Sequence, residues 1–137
     1  MAKSAPRPAF VPKGSPRVIP RIFTDDVRAL VAFVKRVFGA EGTYQREFPT
    51  QLRIGDSVIM ISDTSFRKAM GAFLYVYVEN TEATYRRAVR AGARSLEEPA
   101  DMPYGDRRCM FEDQWGNTWQ VATHMRKRSV RLQPDCP

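Results

Sequence analysis

The chain repeats itself. One spacing separates Asp26 from Glu79, Gly39 from Gly92 and Ala40 from Ala93. Around these anchors the hydrophobic pattern runs the same course twice. Val18–Thr24 reads as a strand, and Asp25-Asp26 supplies a helix-start signal. Val27, Leu30, Val31, Val34, Val37 and Phe38 recur at helical spacing until Gly39 stops the run. A strand over Thr43–Phe48 follows, then a hairpin of Gln51–Ile54 and Val58–Ser62 around Gly55-Asp56. Asp63–Gly71 links to the second copy: a strand at Phe73–Glu79, a helix at Thr81–Ala91 ended by Gly92, and a strand at Arg94–Glu97. A longer loop, Glu98–Arg107, precedes the last two strands, so Gly55 and Gly116 correspond at a wider offset. The pattern predicts an α+β fold of two β-α-β-β-β modules, 18–63 and 73–124. Neither module is large enough to bury its own apolar face, so the copies should pack together, and pairing of chains into a homodimer is expected.

The net charge of +7 does not point to nucleic acid. Residues 1–21 hold five basic residues and no acid, and Arg126, Lys127, Arg128 and Arg131 crowd the other end. The interior is nearly neutral, so the excess belongs to a basic extension (1–17), read as disordered or loosely attached, and a basic tail (125–137). Such ends bind polyanions weakly and without sequence preference, and no specific nucleic-acid partner is expected. With 43% hydrophobic and 27% charged residues the chain should be globular. It has no apolar run long enough to span a bilayer and no N-terminal hydrophobic segment of the signal-peptide kind. Cys109 and Cys136 do not suggest a disulfide framework, and a reducing cytoplasm is the simpler reading.

The most distinctive stretch is Tyr104-Gly105-Asp106-Arg107, continuing through Asp113-Gln114-Trp115-Gly116-Asn117-Thr118-Trp119 to Ala122-Thr123-His124. It reads as loop, strand, tight turn and final strand, with Gly116-Asn117 as the turn and Asp113 as its cap. It resembles the C-terminal hairpin of the vicinal oxygen chelate superfamily of glyoxalases, bleomycin-resistance proteins and extradiol dioxygenases, and more narrowly its PhnB-like branch. The resemblance extends over Val18–His124, with Gln114 where the branch usually carries proline. It implies two modules forming a curved mixed sheet around a cavity.

Within Phe73–Val78, alternation places Phe73, Tyr75 and Tyr77 on one face and Leu74, Val76 and Val78 on the other. The aliphatic face suits packing on the helices. The aromatic face suits a partly wet cavity, or else a core or dimer contact. The same face would hold Ile19, Arg21 and Phe23 in the first strand, and Thr118, Gln120 and Ala122 in the last.

In relatives that use a divalent metal, the resemblance puts the ligands on four strands facing the cavity. The matching positions here are Ile19, Ile59 (Met60 in a shifted register), Phe73 or Tyr75, and Gln120. Only Gln120 could coordinate, so no metal or other cofactor is expected. His124, the single histidine, reads as a strand-end hydrogen-bonding residue, or less simply as a base or ligand. Asp106 reads as a loop-holding carboxylate, whereas Tyr104 and Arg107 could overhang the cavity and meet a polar ligand. With one histidine no Ser-His-Asp or Cys-His arrangement is supportable, and no glycine spacing makes a phosphate loop.

These observations predict a protein without catalytic residues that holds a small planar or apolar molecule. The cavity would be lined by Arg21, Phe23, Ile59, Phe73, Tyr75, Tyr77, Tyr104, Arg107 and Gln120. Sequestration of an antibiotic or metabolite is one version. The alternative is a metal-dependent lyase, isomerase or dioxygenase in which Gln120 and residues such as Glu47 or Asp63 converge.

Overall fold

A computed structural model describes residues 8–65 and 67–125. The first half contains β1 (Arg21–Phe23), α1 (Val27–Phe38), β2 (Thr50–Ile54) and β3 (Ser57–Ser62). The second contains β4 (Phe73–Tyr77), α2 (Thr81–Arg90), β5 (Arg94–Asp101), β6 (Asp106–Glu112) and β7 (Thr118–His124).

Each helix starts where an Asx side chain satisfies an orphan amide. Asp26 accepts from the Ala29 N–H at 3.1 Å and Asn80 from the Ala83 N–H at 3.0 Å. Gly39 ends α1 in the left-handed conformation, φ 68°, and its N–H returns to the Lys35 carbonyl at 2.9 Å.

The strands form two mixed sheets, ordered β1-β3-β2 and β4-β7-β6-β5. In both, the first strand pairs parallel with the last, and the remaining pairings are antiparallel. The α+β class and the repeated plan are as expected, but the sheet is divided in two.

Two strand expectations need correction. The strand expected at Thr43–Phe48 is reduced to a single bridge between Glu41 and Arg53. Residues 43–48 are exposed apart from half-buried Tyr44, so no apolar face pins their register. Conversely, β5 runs on to Asp101 with two register irregularities, and β6 begins at Asp106, which shrinks the long loop to 102–105. β5 is an edge strand, where Pro99 and irregular pairing are tolerated.

Ile22, Leu52 and Ile61 from the first sheet and Cys109, Phe111, Trp119 and Val121 from the second join both helices in one core. Phe38 of α1 crosses between the halves, with its ring 4.9 Å from Trp119 and 6.5 Å from Phe111. Arg87 of α2 donates to the Val37 carbonyl at 3.1 Å. The helices thus occupy the inner face of each sheet and leave the other face outward.

The expected basic ends are only partly covered. Residues 1–7 and 126–137 lie outside the described residues. Residues 8–17 include turns, Val11 is buried, and Arg53 donates to the Gly14 carbonyl at 2.7 Å.

Candidate functional site

The outward face of the second sheet collects the polar chemistry. Its register places Phe73, Tyr75 and Tyr77 of β4 beside Thr118, Gln120 and Ala122 of β7, and sets Asp106, Arg108 and Met110 of β6 beside His124, Ala122 and Gln120. On the opposite face Trp119, Val121, Cys109 and Phe111 are fully buried. Burial of Cys109 in that core pushes its thiol up to about 12, which leaves it unreactive.

Asp106 is the hub. It is only 2% exposed, and Ala122 on the intervening strand is small enough for the β4 tyrosines to reach over it. Tyr75 and Tyr77 donate their hydroxyls to Asp106 Oδ2 at 2.6 and 2.8 Å. His124 Nδ1 lies 3.1 Å from Oδ1. Burial pushes the Asp106 carboxyl up, but the hydrogen bonds from Tyr75, His124 and Tyr77 outweigh it and hold the group below the ordinary carboxylate value. The same contacts act in reverse on the phenols. Burial, then the bond to Asp106, raises Tyr75; the bond to Asp106, then burial, raises Tyr77. Asp106 is therefore a buried, fixed anion held by two neutral tyrosine hydroxyls and the imidazole.

A second chain of contacts extends from it. The Tyr104 hydroxyl lies 3.3 Å from that of Tyr75 and accepts from Arg108 Nη1 at 3.0 Å, while Arg108 Nη2 donates to Glu97 at 3.0 Å. Gly105, at φ 102°, completes the turn into β6, and its carbonyl accepts from the Met125 N–H at 2.8 Å. The aromatic rings remain accessible: Phe73 is 65%, Tyr75 39% and Tyr77 61% exposed. The Tyr75 and Tyr77 rings meet edge-on at 5.4 Å.

The residues expected to line one cavity are distributed over three places. Phe73, Tyr75, Tyr77, Tyr104 and Gln120 share the outward face or its border. Arg21 and Phe23 belong instead to a hollow of about 740 Å³ on the first sheet, together with Tyr44 and Ser62. There Arg21 donates to Ser62 at 3.1 Å and lies 5.1 Å over the Phe23 ring. Ile59 is buried on the helix side of β3, opposite Leu52, and it is Met60 that shares the outward face with Arg21. Arg107 also points to the helix side, where it pairs with Glu82 of α2 and with Asp101. Both displacements follow from strand parity, which sends each residue to the face opposite that of its neighbours. A further groove of about 810 Å³ runs between the halves, lined by Ile54, Ile59, Val76, Tyr77, Arg87 and Trp119 among others.

The donor set does not fit the divalent metal that the resemblance implies for some relatives. Among the described residues no three His, Cys, Asp or Glu side chains come together. Gln120 sits mid-sheet between Tyr75 and Met110, whereas Glu47 and Asp63 border the first-sheet hollow.

Sequence reasoning singled out Asp106, Tyr75, Tyr77 and His124 separately but did not join them. The available signal was the pair of tyrosines on one face, flanking a strand that carries alanine at the crossing. Asp113 behaves as read: it accepts from the Trp115 and Asn117 N–H groups, from Asn117 Nδ2 and from Trp119 Nε1 at 2.9–3.2 Å.

The family model described as Glyoxalase/Bleomycin resistance protein/Dioxygenase superfamily matches residues 17–121. Among solved structures, TioX from Micromonospora sp. ML1 is similar with a TM-score of 0.69 at 20% identity, over 81% of this chain and 100% of that one. A glyoxalase/bleomycin resistance protein/dioxygenase family enzyme from Burkholderia phytofirmans PsJN is similar with a TM-score of 0.66 at 23% identity, over 77% and 95% of the two chains. A gene product from Arabidopsis thaliana gives a TM-score of 0.63 at 23% identity, over 78% and 98%. At such identities these likenesses speak for the fold alone. A search of curated proteins finds no match.

Proposed function

The chain belongs to the glyoxalase/bleomycin resistance protein/dioxygenase superfamily, and from that premise we propose that it is a metal-free member that binds a small planar or apolar molecule on the outward face of its second sheet. The observation that carries the reading is the exposed shelf of Phe73, Tyr75 and Tyr77, laid beside β7, whose other face buries Trp119 and Val121 completely. Contiguous exposed aromatics on a rigid sheet mark a contact surface, because water gains from being displaced there. Tyr75 and Tyr77 are held by Asp106, so the shelf is formed before a ligand arrives. Sequestration of an antibiotic or metabolite is the role that this surface suits.

The motifs Tyr104-Gly105-Asp106-Arg107 and Ala122-Thr123-His124 support placing the chain in the PhnB-like branch. A second copy of the chain in a homodimer would supply the opposite wall of the binding space. The action is assigned to the cytoplasm, which suits the free, buried Cys109. Among the described residues no helix is long and apolar enough to cross a membrane. The metal-dependent alternative would need Gln120 to meet Glu47 or Asp63, but those two border the hollow on the first sheet while Gln120 lies in the second sheet.

Native mass spectrometry of freshly purified protein, with elemental analysis, tests the reading. A co-purified small molecule, or quenching of tyrosine fluorescence by planar compounds that Phe73→Ser and Tyr77→Ser weaken, is the expected result. One equivalent of zinc, nickel, iron or manganese would overturn it.

A further inference from the structure

The outward face ends in an acceptor whose direction is chemically fixed. His124 closes β7 on the same face as Ala122 and Gln120, and its side chain is 67% exposed. Its Nδ1 faces Asp106 Oδ1 at 3.1 Å. Asp106 already receives two tyrosine hydroxyls, is almost fully buried and is held in the charged form. A carboxylate can only accept, so Nδ1 must carry the hydrogen, and in the neutral ring Nε2 is then left as a lone-pair acceptor. Nothing among the described contacts occupies Nε2.

The aromatic shelf and this acceptor lie on one surface. Tyr77 is in register with Ala122, and His124 lies two residues further along β7 on the same side. A flat ring resting on Tyr75 and Tyr77 would extend toward the imidazole.

We propose that His124 and Asp106 form a hydroxyl-recognition subsite, so that the preferred ligand is a planar aromatic bearing an acidic O–H that it donates to His124 Nε2. The inference rests on the binding function proposed above and adds the ligand class. Tyr75 and Tyr77 serve twice: their rings support the ligand, and their hydroxyls keep Asp106 charged so that it orients the histidine. The Tyr75 and Tyr77 hydroxyls are already consumed as donors to Asp106, and the exposed imidazole nitrogen adds an acceptor at the end of the shelf for an incoming proton donor.

Equilibrium dialysis of the full chain at about pH 8, where a free imidazole is neutral, against the weakly acidic 4-chlorophenol and its methyl ether, 4-chloroanisole, tests this. The phenol is expected to bind about tenfold or more tightly than the ether, the range for a hydrogen bond assisted by a charged partner. His124→Ala should erase that preference, so that phenol and ether bind alike. Asp106→Asn is the sharper variant. The asparagine amide can donate to Nδ1, which moves the hydrogen to Nε2 and turns the acceptor into a donor, so the preference should vanish or reverse. A merely structural role for the pair would not change the ratio. Equal binding of phenol and ether to the unaltered chain would overturn the subsite while leaving the binding function standing, and binding of neither would overturn both. Retention of the full preference in His124→Ala would also overturn it. Because His124 is exposed, that variant should fold even if Asp106→Asn does not.

Discussion

The two halves of the molecule share a topology and differ in what they do with it. Each runs strand, capped helix, strands, with its first strand parallel to its last. The second half completes the plan with a four-stranded sheet whose outward face is knit together through Asp106. The first half keeps three strands; Arg21 lies over Phe23 on its outward face, Arg28 of α1 lies over Tyr44, and among its described residues no carboxylate is buried. Even the hairpin turns diverge. Asp113 is buried and accepts from four donor groups, whereas Asp56, beside Gly55, is exposed and among the described contacts meets the Ser57 hydroxyl. The two halves share a backbone plan, and the network centred on a buried carboxylate occurs in the second.

The sharpest test of this asymmetry is the pair of turns. Asp113→Ala would strand the Trp119 indole N–H and the Asn117 amide in the core, at about 3 kcal/mol or more, since each buried donor left alone costs about 1–3 kcal/mol. Asp56→Ala should stay within about 0.5 kcal/mol. Urea denaturation of both variants checks the ratio, and equal losses would erase the distinction.

The tyrosines come next. Tyr75→Phe removes a hydroxyl bonded to a charged, buried carboxylate and should cost about 1.5–3 kcal/mol. Tyr44→Phe keeps the ring that Arg28 lies over and should cost no more than about 0.5 kcal/mol, both variants being measured by urea denaturation.

Acid should separate the halves as well. The folded-state carboxyl of Asp106 lies below its ordinary value, so its stabilisation is complete above about pH 4 and is lost as pH falls through the lower folded value. Tyr75 and Tyr77 are raised, so their contribution holds below about pH 10 and is lost above it. Hydrogen exchange during acidification should therefore show amides of β6 and β7 opening in a step that Asp106→Asn flattens. An unchanged profile in that variant would remove Asp106 from the account.

The smallest effect expected is at Phe48, which is 70% exposed in the segment where the first half lacks a strand. Phe48→Ser should leave stability within about 0.5 kcal/mol, as measured by thermal melting. A larger loss would mean that this segment is covered in solution.

The positions of both helices, and the caps and inward face of α1, were legible in the sequence because they depend on local rules. A 3.6-residue period, an Asx at the start and a glycine at the end of α1 specify a helix without reference to any distant residue. The alternation in β4 and β7 likewise identified which side chains face outward, since side-chain parity is a property of the strand alone. Tertiary structure decided the rest. Whether 43–48 joins a sheet depends on an apolar face that the segment does not have, and how far β5 runs depends on its being an edge. The meeting of Tyr75, Tyr77, Asp106 and His124 depends on the order β4-β7-β6 and on a small residue at the crossing. Strand order is set by which faces bury together over long separations in sequence, and a local pattern carries no record of that choice.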